Sequence, residues 1–232
     1  MAMPTLSDAF SLPKKSYDFV KQNWIVFVIV HIFTILSSLS PVKRSDGTAS
    51  TDMSTLGPLD EFSAGVAVFI ITLGLLIFAV LYAMRTVLEL RTAQGKKLSL
   101  GEVYAESKQF IVPLFLQAVV IILIVTLGLI LLIIPGLIAL GRLITAPYLL
   151  VDKNLGVMDS IKASFKLSTH YDQAIWGVLG VLLLIAIGTT VLAVIPFIGG
   201  LIGGLIMVAV SVMLAIRYVE ISAHRKAVTS GK

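Results

Sequence analysis

The stretch IIPGLIALGRLITAPYLLVD, residues Ile133–Asp152, sets a Pro-Gly pair and an arginine inside an otherwise apolar run. A charge at the centre of a membrane span costs about 2.5–3.5 kcal/mol on insertion scales, so the depth of Arg142 decides how the stretch is read. With Pro135-Gly136 taken as a turn at the outer surface, Arg142 lies about 9 Å below it, from the helical rise per residue. A long arginine side chain snorkels back to the interface over that distance. The stretch therefore reads as a short membrane helix, Leu137–Val151, interrupted by Pro147, which removes a backbone bond and kinks the helix.

Composition supports this reading. The chain has 232 residues, 57% of them hydrophobic and 13% charged, with a mean hydropathy of +1.00. Water-facing domains carry about 25% charged residues, so the bilayer must be the solvent for much of this surface. The absence of cysteine excludes disulfides, thiolate metal sites and cysteine nucleophiles. The net charge of +5 reads as the Lys/Arg excess of cytoplasmic loops rather than as a nucleic-acid footprint. The first apolar run begins at Trp24 and Pro41 stands where cleavage would be needed, so no signal peptide is expected.

Apolar runs near the spanning length of about 20 residues predict six spans: Trp24–Ser40, Phe62–Met84, Ile111–Ile134, Leu137–Val151, Ala174–Ile195 and Ile198–Ile216. With the N-terminus in the cytoplasm, fifteen of the eighteen basic residues fall on that side. They are Lys14, Lys15 and Lys21, then Arg85, Arg91, Lys96, Lys97 and Lys108. Lys153, Lys162 and Lys166 follow, and then Arg217, Arg225, Lys226 and Lys232. Lys43 and Arg44 lie outside and Arg142 within a span. Both termini are thus expected in the cytoplasm of a multi-pass cell-membrane protein. The expected organisation is an N-terminal cytoplasmic segment (1–23), a membrane domain (24–216) and a cytoplasmic tail (217–232). Within the membrane domain lie an outer loop (41–61) and cytoplasmic segments (85–110 and 152–173).

The inner segments are patterned. Ser99 and Glu102 fit a capping box, followed by Leu100, Val103, Tyr104 and Phe110 on one helical face. Val157, Ile161 and Phe165 recur every four residues, with Lys162 and Lys166 as a basic edge suited to anionic headgroups. Pro13 is expected to begin a helix and Gly95 to end one. The fold class that results is an all-α integral membrane protein with six transmembrane helices as three hairpins, each preceded by an amphipathic cytoplasmic helix. Repetition of this unit is a feature of transporters and also of simple hairpin duplication.

Arg142 and Thr145 are the candidate ligand or lipid residues, lining a shallow groove beside the kinked fourth helix. No acidic residue falls within the six spans, so no intramembrane ion pair is expected for Arg142. Gly199/Gly203 and Gly200/Gly204 repeat every four residues, a spacing that lets helix backbones approach closely, and are assigned to packing. His31, His170 and His224 have no metal spacing, and no nucleophile elbow or phosphate loop occurs, so neither metal, cofactor nor catalytic residue is expected.

The run PGLIALGRLITAPYLLVDKNLGVMDSIKASFKLSTHYDQAIWGV (135–178) resembles the signature segment of the glycerophosphoryl diester phosphodiesterase membrane-domain group and related membrane proteins. The resembling positions are Pro135, Gly136, Val151, Asp152, Ala163 and Trp176, with Ser160, Ser164 and Leu167 less regularly placed. The resemblance implies a six-helix membrane domain. In members fused to a soluble phosphodiesterase barrel, the barrel carries the catalytic residues, so none is implied for this chain. The expected function is a non-catalytic membrane module that packs with a partner or organises lipid; the alternative is a small transporter or lipid-binding permease with its groove near Arg142. Expected partners are membrane lipids and a membrane or cytoplasmic protein, without nucleic acid.

Overall fold

A computed structural model describes residues 7–32, 35, 61–192 and 198–230. Among the described residues the chain is helical, without a strand. Helices α1 (Leu12–Lys21) and α2 (Trp24–Val30) precede the long α3 (Glu61–Ala93). Then come α4 (Leu100–Ser107), α5 (Ile111–Leu131), α6 (Ile133–Leu143), α7 (Ala146–Lys153) and α8 (Val157–His170). The chain continues through α9 (Asp172–Leu192), α10 (Ile198–Val210) and α11 (Met213–Ser230).

Five stretches are long and apolar enough to cross a membrane: Val68–Ala93, Leu100–Leu131, Ile133–Lys153, Asp172–Leu192 and Ile198–Val228. This is an all-α membrane protein. The expected first span is not among the five. Its described part is α2 and the residues just after it; most of the rest, the expected outer loop and the turn at Pro196 lie outside the described residues.

Local signals act where the sequence places them. Pro13 sits in the first turn of α1, where its missing N–H costs nothing. Ser99 and Glu102 form the reciprocal capping box of α4. Gly95, at φ 81°, ends α3 in the left-handed region. There the Lys96 N–H reaches the Arg91 carbonyl at 2.9 Å and the Gly95 N–H reaches that of Thr92 at 2.8 Å, a Schellman closure.

Packing divides the molecule into a dense base and protruding arms. The C-terminal part of α3 buries Ala83, Met84, Val87, Leu88 and Leu90, whereas its N-terminal half leaves Phe69, Ile70, Leu76 and Phe78 exposed. Helix α9 buries Ala174, Ile175, Val178 and Val181, then exposes Leu183, Leu184, Ile187 and Val191. The base is completed by α1, α7, α8 and α11. Helix α1 buries Leu12, Ser16 and Val20 against α10 and α11, and Lys15 reaches Glu220 at 2.9 Å. Burying apolar surface is worth about 25 cal/mol per Å², so arms this apolar need acyl chains around them.

Two expectations are corrected. The turn of the α5–α6 hairpin is at Leu132, in extended conformation, and Pro135-Gly136 belongs to the first turn of α6. Proline lacks the N–H that a first helical turn leaves unbonded, so it starts this helix rather than ending the previous one. The second apolar helix does not stop at Met84 but runs to Ala93, because Val87, Leu88 and Leu90 continue the core face. Helices α1 and α11, from the expected N-terminal segment and tail, pack together in the base. Helix α8 packs into the base largely through its serines. Its buried residues are Ser160, Ile161, Ser164, Leu167 and Ser168, and Phe165 is exposed. Serines are small enough to let α8 approach α6 and α7 closely, and they bring hydroxyls to carbonyls that a broken helix leaves open.

Candidate functional site

The break between α6 and α7 organises the first polar cluster. Pro147 stands in the first turn of α7, and the helix is interrupted at Ile144–Thr145. The Arg142 carbonyl accepts the hydroxyls of Ser164 at 2.8 Å and Ser168 at 3.1 Å. Thr145, which is buried, shares a 2.8 Å hydrogen bond with the Ser164 hydroxyl. One turn further along, Gln117 of α5 donates to Ser160 at 2.5 Å. The two candidate ligand residues are therefore brought together, but by contacts within the chain.

The Arg142 guanidinium forms a two-pronged ion pair with Asp172, Nη1 to Oδ1 and Nη2 to Oδ2, the latter at 3.2 Å. It also lies 5.8 Å from the centre of the Phe165 ring. The expectation of a snorkelling arginine gives way to an ion pair, because the first residue of α9 returns an acid to the level of Arg142. Spans delimited by hydropathy place Asp172 in a separate loop, which hides the pairing.

A second cluster, unforeseen as a site, joins α2, α3 and α7. Glu89 is 3% exposed. Its Oε1 accepts Arg85 Nε at 2.8 Å, and its Oε2 accepts the Tyr148 hydroxyl at 2.9 Å. His31, also buried, donates Nδ1–H to the Phe27 carbonyl at 2.9 Å. Its Nε2 lies 3.5 Å from Glu89 Oε1. Tyr148 stacks on Tyr218 at 6.0 Å, and Tyr218 donates to Asp152 at 2.8 Å. Asp152 also accepts Gln94 at 2.9 Å, and Arg91 joins Gln94 to Glu106 at 2.8 and 2.7 Å. A continuous polar seam thus runs down the base along α3. Buried charges need such partners, since an unpaired one would be strongly destabilising.

Two clefts meet at the upper end of the seam. One is an apolar groove of about 310 Å³ lined by Val30, Gly74, Ile77, Phe78 and Leu81, ending at Tyr82 and Arg85. The other, about 270 Å³, has Tyr82, Arg85, Glu89 and Tyr148 on one side and Ile121, Leu140 and Ile144 on the other. Arg85 belongs to both. Its side chain is 44% exposed although its Nε is held by Glu89. The arrangement is a cation, fixed in place, at the mouth of an apolar slot.

The remaining sequence candidates fall elsewhere. Gly199, Gly203 and Gly204 are buried and Gly200 is partly so; a Cβ on Gly203 would touch Thr189 of α9 at 3.5 Å, an ordinary contact within the hairpin. Lys162 and Lys166 are exposed on α8. His170 faces the Lys166 carbonyl and His224 faces Tyr171. Among the described residues no three His, Asp or Glu side chains gather as a metal site. The signal for the Arg85 cluster is the Arg85–Glu89 spacing of four, which puts both on one helical face. Hydropathy hides it by ending the second span at Met84, which leaves both residues in a cytoplasmic segment. Comparison with protein-family models, with curated proteins and with solved structures returns no match.

Proposed function

We propose that this chain is a non-catalytic membrane protein that holds a phospholipid, with an acyl chain in the Val30/Phe78/Leu81 groove and the phosphate at Arg85. The observation that carries the reading is the junction of the two clefts at Arg85. Pockets for amphiphiles are mostly apolar with a few placed polar groups, and the groove is within the usual volume range of about 300–1,000 Å³. Glu89 and Tyr148 have a positioning role: the first fixes the guanidinium through Nε, leaving its outer nitrogens for a phosphate, and the second holds the carboxylate. The groove is moved from Arg142, whose fork is engaged by Asp172, to Arg85.

In this reading the protein sits in the cell membrane with both termini cytoplasmic. The concentration of fifteen of eighteen basic residues on one side supports this. The resemblance to the glycerophosphoryl diester phosphodiesterase membrane-domain group is in keeping with a membrane module lacking chemistry of its own.

Native mass spectrometry of the purified protein tests the proposal. Wild type should carry a phospholipid. Gly74→Trp should lose it, because a Cβ on Gly74 meets nothing within 4 Å and a large ring there fills the groove without disturbing the helix. Equal retention by both proteins, or none by wild type, would overturn the reading.

A further inference from the structure

The clefts fix a common level from which the lengths of the apolar arms can be compared. Tyr82 and Arg85 of α3, Ile121 of α5, and Leu140, Leu143 and Ile144 at the end of α6 line one cleft. Leu214, near the start of α11, lines it too. Arg142 lies between Leu140 and Leu143 in α6, and its ion-pair partner Asp172 begins α9. At about 1.5 Å per residue, α3 extends about 31 Å beyond this level, from Tyr82 back to Glu61. Helix α9 extends about 30 Å, from Asp172 to Leu192. Either length crosses a hydrocarbon core of about 30 Å. The α5–α6 hairpin is different. From Ile121 to Leu131, and back from Ile133 to Arg142, it reaches only about 15 Å.

The tip of that hairpin is built for lipid rather than water. No side chain from Leu127 to Gly141 carries a polar group. Ile130, Leu131, Leu132, Ile133 and Ile134 are each about 70% exposed. Leu132, the one residue between the helices, gives its N–H to the Gly128 carbonyl at 3.0 Å and accepts the Gly136 N–H at 3.4 Å. Pro135 removes one more donor from the first turn of α6. Backbone in hydrocarbon must be satisfied internally, and this turn goes far toward that. The two arms of the hairpin also meet closely: a Cβ on Gly128 would lie 2.9 Å from the Gly136 Cα.

We infer that α5–α6 is a re-entrant hairpin, entering and leaving the bilayer on the same side and turning near its midplane among the acyl chains of one leaflet. The stretches Leu100–Leu131 and Ile133–Lys153 then do not cross the membrane. Removing two crossings together keeps both termini on one side, so the distribution of basic residues is unchanged. The hairpin is a wedge in a single leaflet, next to the cleft mouth at Arg85.

Hairpin depth does not depend on lipid retention at the groove, and it is tested on the cysteine-free chain. Single cysteines replace Leu132, Ile130 and, as a reference on a crossing arm, Ile198. Reconstituted in phosphatidylcholine vesicles, Leu132→Cys and Ile130→Cys should resist an impermeant maleimide from both sides and react only in denaturant. A fluorophore attached to the Leu132→Cys variant should be quenched most by lipids carrying the nitroxide near the acyl-chain end. At position 198 the strongest quenching should come from nitroxides near the far headgroups. Labelling of Leu132→Cys from the far side would restore two full crossings. Labelling from the near side would mean the hairpin is not inserted. Either result overturns the inference.

Discussion

The Tyr148 hydroxyl donates to Glu89 Oε2 across 2.9 Å and so ties α7 to α3 at the floor of the cleft. Glu89 is buried with Arg85 on its other oxygen, so losing the tyrosine donor leaves half of a buried carboxylate unbonded. Tyr148→Phe is expected to cost about 1–3 kcal/mol. Glu89→Leu, which strands both partners, should cost more than Tyr148→Phe. Thermal unfolding in detergent checks the order; an unchanged midpoint for Tyr148→Phe would remove this bond from the account.

The Arg142–Asp172 pair is partly exposed, so its Coulombic worth is modest, about 1 kcal/mol or less. The two-pronged geometry is what lysine cannot reproduce. Arg142→Lys and Asp172→Asn should each lower the unfolding midpoint, and the double variant should lose less than the two losses added. Strict additivity in a double-mutant cycle would show that the two side chains do not act together.

Glycines in the hairpins separate by what a Cβ would meet. On Gly136 it would fall 2.6 Å from the Leu129 backbone nitrogen, whereas on Gly188 it would meet nothing within 4 Å. Gly136→Ala should destabilise by about 1–3 kcal/mol as the helices are forced apart. Gly188→Ala should be neutral or stabilising by up to about 1 kcal/mol, from helix propensity alone. Matched unfolding curves in detergent distinguish them, and equal effects would count against the close approach at the tip.

Ser164 reports on the break between α6 and α7, since its hydroxyl serves both Thr145 and the Arg142 carbonyl. Ser164→Ala should cost about 1 kcal/mol, the net worth of a typical bond. Ser164→Leu should cost more, because α8 must move away from the break. If leucine proved no worse than alanine in thermal unfolding, the serine face of α8 would not be packed as described.

Much of the architecture is legible in residues with strong local chemistry. The Ser99–Glu102 box, the Gly95 terminus and Pro13 at a helix start are decided within one turn, and each stands where its sequence puts it. Membrane character is legible because hydropathy sums over many residues. The turn at Leu132 is not, since a Pro-Gly pair serves equally at a turn and in a first helical turn. The contact of α8 with α6 and α7 is not legible either, because periodicity marks the apolar residues while serines make most of that contact. The Arg85–Glu89–Tyr148 cluster depends on separated helices, and His31 alone in an apolar run reads only as a packed residue. Long-range pairing of this kind leaves no mark in local spacing.

Photo-crosslinking with a phospholipid bearing a diazirine in its acyl chain tests the lipid site most directly. Adducts mapped by peptide sequencing should concentrate on Val30 and on the Gly74–Tyr82 face of α3, and should fall sharply in Gly74→Trp. Adducts spread evenly over the exposed faces of α5 and α9, and unchanged in Gly74→Trp, would contradict a phospholipid held at Arg85.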